Sequence, residues 1–455
     1  MRILQVVHGI QSPGVGGSEI YTYSLCKELS KRNDVHLFFS DSGIGHGKFV
    51  ERGYYNDLAF TSVNPRQYAG HFSYLNSFKS GGYVTCKNKK VDKAFKIVIE
   101  EFRPDIIHFQ HLINLSTNLV NIASQANIPM IFSTHDYWLL CPKAHLIDNN
   151  LNACMGVDNK FKCVNCLWRS RLSRFNKIKL TQPKTYIELP KNLKMIVWYP
   201  LALLHTIPFV FYIRPKAIRA IIEKIDLFIV PTYRMYDKLV GRGVPRDKVV
   251  RLGFGIPDAV SENIQKVPSK PIRFAFVGSL VPSKGIHVLI EAFNNIEKAT
   301  LDIYGPLGED TKRWCTKLIK NDNIKTKGKF KHEAVREVFS EIDILIVPSI
   351  CMDNFPLVVK EAFATKTLVI ASNIGGLPEM VQDGKTGLLF KVGDPKDLFR
   401  KIEYFIDNPS EVNRMSCEIG SVKTIEENAI EIENGYRDII NKRCQGGKNC
   451  RTASV

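Results

Sequence analysis

The stretch "DILIVPSICMDNFPLVVKEAF" (residues 343–363) combines a strand-like segment with two carboxylates, and it decides the fold. Its first six residues form a short apolar run, which is typical of a parallel strand covered on both faces. A helix that begins at Pro356 should follow, because proline suits the first helical position. Asp353 precedes this helix and Glu361 lies within it, so the sequence places one carboxylate on each side of a helix N-terminus.

That helix N-terminus predicts an anion site. The N–H groups of Leu357, Val358 and Val359 have no acceptor within the helix, and the helix dipole adds positive potential beside them. In doubly wound sheets, ligands bind at the carboxyl ends of the strands, which is where this helix begins. A phosphate flanked by two carboxylates that accept from hydroxyl groups fits a sugar nucleotide.

Two runs of alternating strands and helices extend through the chain and predict an α/β protein with two doubly wound, Rossmann-like domains that face each other across a cleft. The polar, proline-bearing segment 261–271 reads as a linker. We expect a first domain over 1–262, a second over 270–425, and a C-terminal helix that packs back on the first domain, with a tail, over 426–455. The expected strands are residues 3–7, 35–39, 105–109, 130–134 and 226–230 in the first run, and 272–277, 300–304, 343–348 and 367–371 in the second.

Composition indicates a globular protein of a reducing compartment. The 455 residues are 44% hydrophobic, which is enough for two or three cores. The chain opens on a strand pattern with no leader features, and eleven scattered cysteines fit the cytoplasm better than a disulfide framework. The net charge of +18 calls for an anionic partner. Nucleic acid is not expected, because no reader motif occurs.

Five motifs, in order, resemble those of family-4 retaining glycosyltransferases of the GT-B fold. A glycine loop and helix, a His-Asp strand end, a lysine-bearing segment, an acid-x7-acid stretch and glycine-rich turns follow one another with the family's spacing. Five ordered motifs are much more specific than any one of them. They are residues 12–29, 134–142, 277–293, 351–363 and 372–390.

The resemblance implies an N-terminal acceptor-binding domain, a C-terminal nucleotide-sugar-binding domain, and sugar transfer with retained anomeric configuration and no cofactor required for catalysis. It assigns Lys284 to the departing diphosphate, Glu361 to the ribose, Asp353 to hydroxyls of the transferred sugar and His135 to that sugar and the transition state. His108 and His111 are interpreted as structural. The remaining implied donor-binding residues are Gly16, Gly17, Gly278, Phe355, Leu357 and Val358.

Two departures from the family pattern bear on activity. Asp353 stands where many members have glutamate, so its hydrogen bond to the sugar would be displaced or bridged by water. Ser279 stands where many members have arginine, which removes one of two cations facing the phosphates. A solvated helix face remains the competing interpretation of Asp353. A catalytically silent, sugar-nucleotide-binding subunit of a membrane-associated glycan assembly complex is therefore the alternative function.

A cysteine-rich loop over 141–166 raises the possibility of structural zinc. Four thiolates suit a tetrahedral zinc site and leave no open position for chemistry. The spacing is irregular, with a single Cys-x-x-Cys pair, so buried free thiols remain the alternative. The cysteines concerned are Cys141, Cys154, Cys163 and Cys166.

A basic and apolar insert over 169–219 indicates an anionic membrane surface as a partner. It holds eleven lysines and arginines against one acid, around the uncharged segment 195–213. A membrane span is excluded, because strands on either side of the insert must pair in one sheet. An in-plane or re-entrant segment and an internal helical hairpin both remain. The first option predicts a cytoplasmic protein bound peripherally at the inner face of the membrane, with a glycan or lipid-linked acceptor in cell-surface polysaccharide or glycolipid synthesis.

Overall fold

The computed structural model describes residues 1–10, 16–40, 49–64, 87–156, 159–175, 203–204, 206–257 and 268–445. Most of the basic insert predicted over 169–219 lies outside these residues. Among the described residues, no helix has the length and apolar character needed to cross a membrane.

The first domain is built on an eight-stranded sheet with the order β3-β4-β2-β1-β5-β6-β7-β8. Neighbouring strands are parallel except for the antiparallel pair β3 and β4. The central strands are continuous apolar runs because helices cover both faces of the sheet. The strands are β1 (Arg2–Val7), β2 (Asp34–Ser40), β3 (Val50–Tyr55), β4 (Leu58–Val63), β5 (Ile106–Phe109), β6 (Met130–Ser133), β7 (Leu227–Val230) and β8 (Val249–Arg251).

The second domain has a six-stranded, fully parallel sheet with the order β11-β10-β9-β12-β13-β14. The predicted fold class, two Rossmann-like domains, is therefore confirmed. β12, which the opening stretch predicted, lies in the middle of the sheet and all four of its residues are buried. The strands are β9 (Ile272–Val277), β10 (Ala299–Tyr304), β11 (Ile324–Gly328), β12 (Ile344–Val347), β13 (Leu368–Ser372) and β14 (Gly387–Phe390).

Helices connect the strands of both domains, and several begin at a polar cap. Asn88, Thr232 and Asp394 each accept backbone N–H bonds from the first turn of the helix that follows. The helices are α1 (Gly17–Ser30), α2 (Lys89–Phe102), α3 (Leu119–Gln125), α4 (Lys160–Phe175), α5 (Arg214–Lys224), α6 (Tyr233–Gly241), α7 (Ile286–Phe293), α8 (Glu309–Leu318), α9 (Val335–Ser340), α10 (Leu357–Ala364), α11 (Leu377–Met380), α12 (Pro395–Asp407), α13 (Ser410–Cys417) and α14 (Ile425–Gln445).

The C-terminal helix α14 leaves the second domain and packs on the first. Its Tyr436 hydroxyl lies in a buried network, 2.6 Å from His108 Nδ1 and 2.9 Å from Gln5 Nε2. At its end, Arg443 makes a forked ion pair with Asp226 at 2.8 Å. The chain therefore crosses between the domains twice, once after β8 and once before α14.

Removal of the Tyr436 hydroxyl tests how firmly α14 is held. Tyr436→Phe should lower the free energy of unfolding by about 1–3 kcal/mol, because Gln5 and His108 lose a buried partner. Chemical denaturation measures the change. Tyr404→Phe is the matched control, since its hydroxyl pairs with Glu411 on the surface, and it should change stability by no more than about 0.5 kcal/mol. Equal effects of the two substitutions would contradict the inferred role of Tyr436.

Candidate functional site

A partly buried ion pair lies at the carboxyl edge of the second sheet. The Lys284 ammonium donates to Asp353 Oδ1 at 2.6 Å, and the Ser349 hydroxyl donates to Asp353 Oδ2 at 2.5 Å. Burial alone would raise the pKa of Asp353, but the Lys284 charge and these hydrogen bonds hold it below its usual value. Burial would likewise lower the pKa of Lys284, and Asp353 raises it instead. Both groups are therefore charged at neutral pH.

Backbone contacts that leave no room for side chains bring this pair together. Gly285 has a φ of +72°, and a Cβ there would lie 1.7 Å from the Pro348 carbonyl oxygen. Beside it, the Ser283 carbonyl accepts from the N–H groups of Ile350 and Cys351 at 3.0 and 3.2 Å. The loop that carries Lys284 and the loop that carries Asp353 are thus bonded through their main chains. Only glycine fits at position 285.

The glycine turn after β13 fixes Asp353 from the other side. Gly375 has a φ of +63°, and a Cβ there would meet the Asp353 carbonyl oxygen at 2.3 Å. The Gly376 N–H donates to the same oxygen at 2.7 Å. The main chain of Asp353 is therefore held before any ligand binds, which limits the orientations open to its carboxylate.

The start of α10 differs from the sequence prediction. The helix begins at Leu357, and Pro356 is an extended residue before it rather than its first residue. The Val359 N–H donates to the Pro356 carbonyl at 3.1 Å, so the prediction that all three N–H groups at 357–359 are open was wrong. The predicted anion site is reduced to the N–H groups of Leu357 and Val358.

The glycine loop of the first domain faces α10 across the cleft. A Cβ at Gly17 would lie 3.5 Å from Leu357 Cδ1, so the two domains are in near contact there. Gly16 is the extended residue before α1. Phe355 packs edge-on against Phe254 of the first domain, with ring centroids 5.6 Å apart. The two domains thus approach each other to van der Waals distance at Gly17 and Leu357.

The other predicted donor-side residues lie around the same sheet edge. Gly278 follows β9, and its N–H donates to the Tyr304 carbonyl at 3.1 Å. Val358 is partly buried on α10. Glu361, one turn into α10, lies 3.3 Å from His332 Nε2. The structure therefore pairs Asp353 with Lys284 and Glu361 with His332 on the same side of the cleft.

His135 follows β6 on the opposite side of the cleft. Its Nε2–H donates to Gln110 Oε1 at 2.8 Å, and its ring contacts Tyr21 and Phe254. Burial, together with the nearby His111, lowers the pKa of His135 to about 3. The ring is neutral at pH 7, so His135 is suited to hydrogen bonding and not to proton donation.

The first domain contributes two partly buried carboxylates that the sequence analysis did not assign to the site. Glu19 Oε1 lies 3.0 Å from His8 Nε2, and Glu19 Oε2 would be 3.0 Å from a Cβ on Gly16. Asp136 accepts from His111 Nε2 at 3.2 Å. Burial would raise both carboxyl pKa values, but the histidines lower each to about 2. Both are charged at neutral pH. Their positions in "GGSE" and "THD" were the available signals.

Asn354, next to Asp353, joins the two domains. Its amide nitrogen donates to the Thr134 carbonyl at 2.8 Å, and its oxygen accepts from the Thr232 hydroxyl at 2.8 Å. Glu379 adds a second bridge, because its carboxylate accepts from the N–H groups of Tyr233 and Arg234 at 2.6 and 2.8 Å. These contacts connect the end of β6 to Asn354, and the start of α6 to both Asn354 and α11.

The four cysteines of the 141–166 loop line one small cavity. All four are free thiols. Burial and the neighbouring cysteines raise the pKa of Cys163 to about 11. Among the described residues, no three His, Cys, Asp or Glu side chains are placed to hold one ion together, so the thiols would have to turn toward a common point. The donor set suits zinc, and zinc binding stays a prediction. The lining cysteines are Cys141, Cys154, Cys163 and Cys166.

Both halves of the chain match glycosyltransferase families. Residues 15–155 match the family model described as Glycosyltransferase Family 4, and residues 259–419 match Glycosyl transferases group 1. Among curated proteins, an uncharacterised glycosyltransferase of Methanocaldococcus jannaschii is 35% identical over 135 residues, which is 29% of this chain and 38% of that protein. The amylovoran biosynthesis glycosyltransferase AmsK of Erwinia amylovora is 27% identical over 37% of this chain and 45% of its own. The chain thus spans less than half the length of these two relatives.

Solved structures share the fold. A sucrose-phosphate synthase from Thermosynechococcus elongatus superposes with a TM-score of 0.63 at 18% identity, over 97% of this chain and 99% of its own. The Anabaena protein HepE, solved with UDP and glucose, gives a TM-score of 0.60 at 14% identity, over 96% and 99%. At these identities the likeness concerns the fold alone, and it agrees with the two facing Rossmann-like domains.

Metal analysis tests the cysteine cavity. Protein purified from zinc-containing medium without chelator should carry about one zinc ion per chain, because four thiolates form a closed tetrahedral site. The double substitution Cys163→Ser and Cys166→Ser should abolish it, whereas Cys417→Ser, at an exposed cysteine of α13, should retain it. If the wild-type protein holds no zinc and all four thiols react with a thiol reagent, the zinc prediction is wrong and the four cysteines are free thiols.

Proposed function

We propose that this chain is a GT-B glycosyltransferase of the family-4 type that transfers a sugar from a nucleotide-diphosphate donor to a glycan or lipid-linked acceptor. Its residues 15–155 and 259–419 match two glycosyltransferase family models. The observation that carries the proposal is the Lys284–Asp353 pair at the carboxyl edge of β12, 2.6 Å apart and held by main-chain contacts. It places a cation beside a carboxylate at the edge where ligands of doubly wound sheets bind. UDP-sugars are the first donors to test, since HepE was solved with UDP and glucose.

In the proposed reaction, Lys284 stabilises the departing diphosphate. Charge develops on the phosphate oxygens as the bond to the sugar breaks, and a cation in a water-poor site is most effective at that moment. The main-chain contacts of Gly285 hold the lysine in place, so little reorganisation is needed. The N–H groups of Leu357 and Val358 add a second source of positive potential.

Asp353 and Glu361 would accept hydrogen bonds from hydroxyl groups at the two ends of the donor. Asp353 already accepts hydrogen bonds from Lys284 and Ser349. It can still accept from a donor hydroxyl, because one carboxylate can accept several hydrogen bonds at once. Glu361, whose partner is His332, would turn to the ribose. His135, neutral and bonded to Gln110, would accept from a sugar hydroxyl through its second ring nitrogen.

Retention of configuration and independence from a catalytic metal are part of the proposal. Lys284 and the N–H groups supply the positive charge that a divalent ion supplies elsewhere. Ser279 cannot act as a second cation, which leaves more of the charge stabilisation to Lys284. A chelator should therefore leave sugar transfer intact in a short assay.

Two observations support the proposed acceptor: the basic insert of the first domain and the processes named for two relatives. AmsK belongs to amylovoran biosynthesis, and another relative is a putative colanic acid biosynthesis glycosyltransferase of Escherichia coli, 24% identical over 37% of this chain and 44% of that protein. We therefore infer a role in cell-surface polysaccharide synthesis. Its acceptors are glycans assembled beside a membrane, which fits the basic insert.

Exposed apolar side chains within the insert and just before it support peripheral membrane binding. They stand out from the part of the first domain formed by α4 and residues 203–204 and 206–213, and burying them in a lipid interface would remove apolar surface from water. The side chains, with their exposed fractions, are Phe161 (74%), Leu204 (67%), Ile207 (45%), Tyr212 (73%) and Ile213 (47%).

Substitution of Lys284 tests the catalytic assignment. Lys284→Ala should lower turnover by about a hundredfold or more, because the charge on the departing diphosphate loses its main partner. The assay measures transfer, and donor hydrolysis without acceptor, over a panel of nucleotide sugars. Lys317→Ala, at an exposed lysine of α8, is the control and should retain full turnover.

The same variant leaves Asp353 buried without its cation, so its folding has to be checked by circular dichroism at the assay temperature. A folded Lys284→Ala protein with wild-type turnover would contradict the role of Lys284. Wild-type protein that binds UDP but neither transfers nor hydrolyses any donor would favour the silent-subunit alternative.

Vesicle co-sedimentation tests the membrane proposal. Wild-type protein should sediment with vesicles containing anionic lipid at low salt and be released as salt rises, since each basic residue near the surface contributes about 1 kcal/mol. The double substitution Leu204→Ser and Tyr212→Ser should weaken binding further. Tyr54→Ser, at an exposed tyrosine (78%) of edge strand β3, is the matched control and should bind as wild type. If the wild-type protein stays in the supernatant, the membrane proposal is contradicted, and the insert is better interpreted as an internal helical hairpin.

A further inference from the structure

A second cavity lies between the two domains, near the place where the chain crosses from one to the other. Its volume is about 240 Å³, and it opens to solvent. The first domain contributes the end of β8 and the start of α6. The second contributes Phe355, α10 and α11, and the segment before α14 closes it. None of Lys284, Asp353 and Glu361 lines it, although it shares Phe355 with the predicted donor-binding residues.

Three cations from three segments line this cavity. Arg251 comes from the first domain, Lys360 from α10, and Lys423 from the segment that leads into α14. Lys360 follows Val359 and precedes Glu361, and neighbouring helix positions point about 100° apart. α10 therefore presents Glu361 to the sugar-nucleotide side and Lys360 to this second cavity.

The positive charge in the cavity is not balanced by the protein groups around it. Within the described part of the chain, Lys360 and Arg251 have no carboxylate partner. Their cationic groups lie over aromatic rings instead, at 5.7 Å from Phe355 and 4.2 Å from Tyr233. Lys423 is paired with Glu431 at 2.6 Å, outside the cavity lining. The cavity thus carries two cations without an acidic partner.

The carboxylate that does line the cavity is already engaged. Glu379 accepts from two main-chain N–H groups at the start of α6, at 2.6 and 2.8 Å, and both of its oxygens are used. Neither oxygen of Glu379 is therefore left to form an ion pair with Lys360. Burial and the neighbouring Lys423 lower the pKa of Lys360, which is the expected effect of holding like charges together away from water.

A bound anion with several oxygens would neutralise the excess positive charge of this cavity. Arginine offers a planar fork that matches phosphate oxygens, and two lysines add point charges. We propose that this interdomain cavity binds a phosphate-bearing small anion through Arg251, Lys360 and Lys423. The geometry places Arg251 on one domain and Lys360 on the other, so the ligand would bridge the two domains.

Bridging has a consequence for domain closure. A ligand that contacts both domains binds best when they are close together, and it shifts the population toward that arrangement by its differential affinity. Phe355 lines the cavity, and it packs on Phe254 of the first domain, which lines it as well. Occupancy of the cavity would therefore favour the closed form, in which Gly17 lies against Leu357.

Titration calorimetry with inorganic phosphate tests the proposal. Sodium phosphate is added at constant ionic strength against sodium chloride, without any nucleotide or sugar. Wild-type protein should bind phosphate, and Lys360→Met should raise the dissociation constant at least about tenfold, because a charge-assisted contact is lost. Methionine keeps the aliphatic stem of lysine, so the variant should fold at least as well as wild type.

The controls separate this cavity from the sugar-nucleotide site. Arg251→Met should weaken phosphate binding as Lys360→Met does, whereas Lys317→Met, on the exposed face of α8, should leave it unchanged. Lys284→Ala should retain binding at the cavity. Unchanged binding in the first two variants, or loss of binding in Lys284→Ala alone, would overturn the proposal. Because no transfer is measured, the outcome does not depend on the proposed glycosyltransferase activity.

Small-angle scattering provides a second readout. Phosphate should reduce the radius of gyration of the wild-type protein and leave that of Lys360→Met unchanged, because only the wild-type cavity can link the two domains. Phosphate that binds without compaction would overturn the bridging part of the proposal. A compaction of both proteins to the same extent would show that phosphate acts elsewhere.

Discussion

The main-chain packing around residues 348–354 is the constraint on which the site depends. Carbonyl oxygens of this segment lie within 1.7–2.3 Å of where a Cβ would stand on Gly285, Gly375 or Gly376. No other residue type fits at such distances, so three loops of the second domain are locked to one another through their backbones. The side chains that would carry chemistry are attached to this rigid frame and not to mobile loops.

The frame explains why a charged pair can stand partly buried at the sheet edge. Lys284 and Asp353 lose hydration there, and close, well-oriented contacts are needed to offset that loss. The contacts exist because the Ser283 carbonyl binds the main chain of the Asp353 loop. A site built in this way is preorganised, since the cation stands in position before charge develops on a ligand. The position of this pair is therefore set first by the backbone contacts and only then by the contacts of the side chains.

The sequence predicted the central strands of each sheet and missed the edge strands, together with β4 beside edge strand β3. The strands that were predicted, such as β1 and β12, are apolar runs buried on both faces. β3 and β11 lie at sheet edges, are largely polar or exposed, and read as loops. Pro356 was placed one residue too far into α10, because a proline that ends an extended segment and one that opens a helix look alike in sequence. The residues of the candidate site could be selected through the family resemblance. The pairing of Glu19 with His8 and the bridge made by Asn354 depend on contacts between distant segments, which periodicity does not encode.

The interdomain contacts suggest how the two halves communicate. Asn354 stands directly between Asp353 and Phe355, and it binds the main chain at the end of β6, one residue before His135. A movement of one domain against the other therefore acts on Asp353 and His135 through a single buried amide. Glu379 sets the start of α6 in the same way, through hydrogen bonds to two N–H groups. The end of α14 is tied to Asp226 of the first domain through Arg443. Closure of the two domains must therefore bend the chain where it crosses between them, while the bonds of Arg443, Asn354 and Glu379 stay intact. We infer that the Asn354 and Glu379 bridges limit how far the two domains can move against each other, so that a ligand bound in the cleft would act on the position of the first domain.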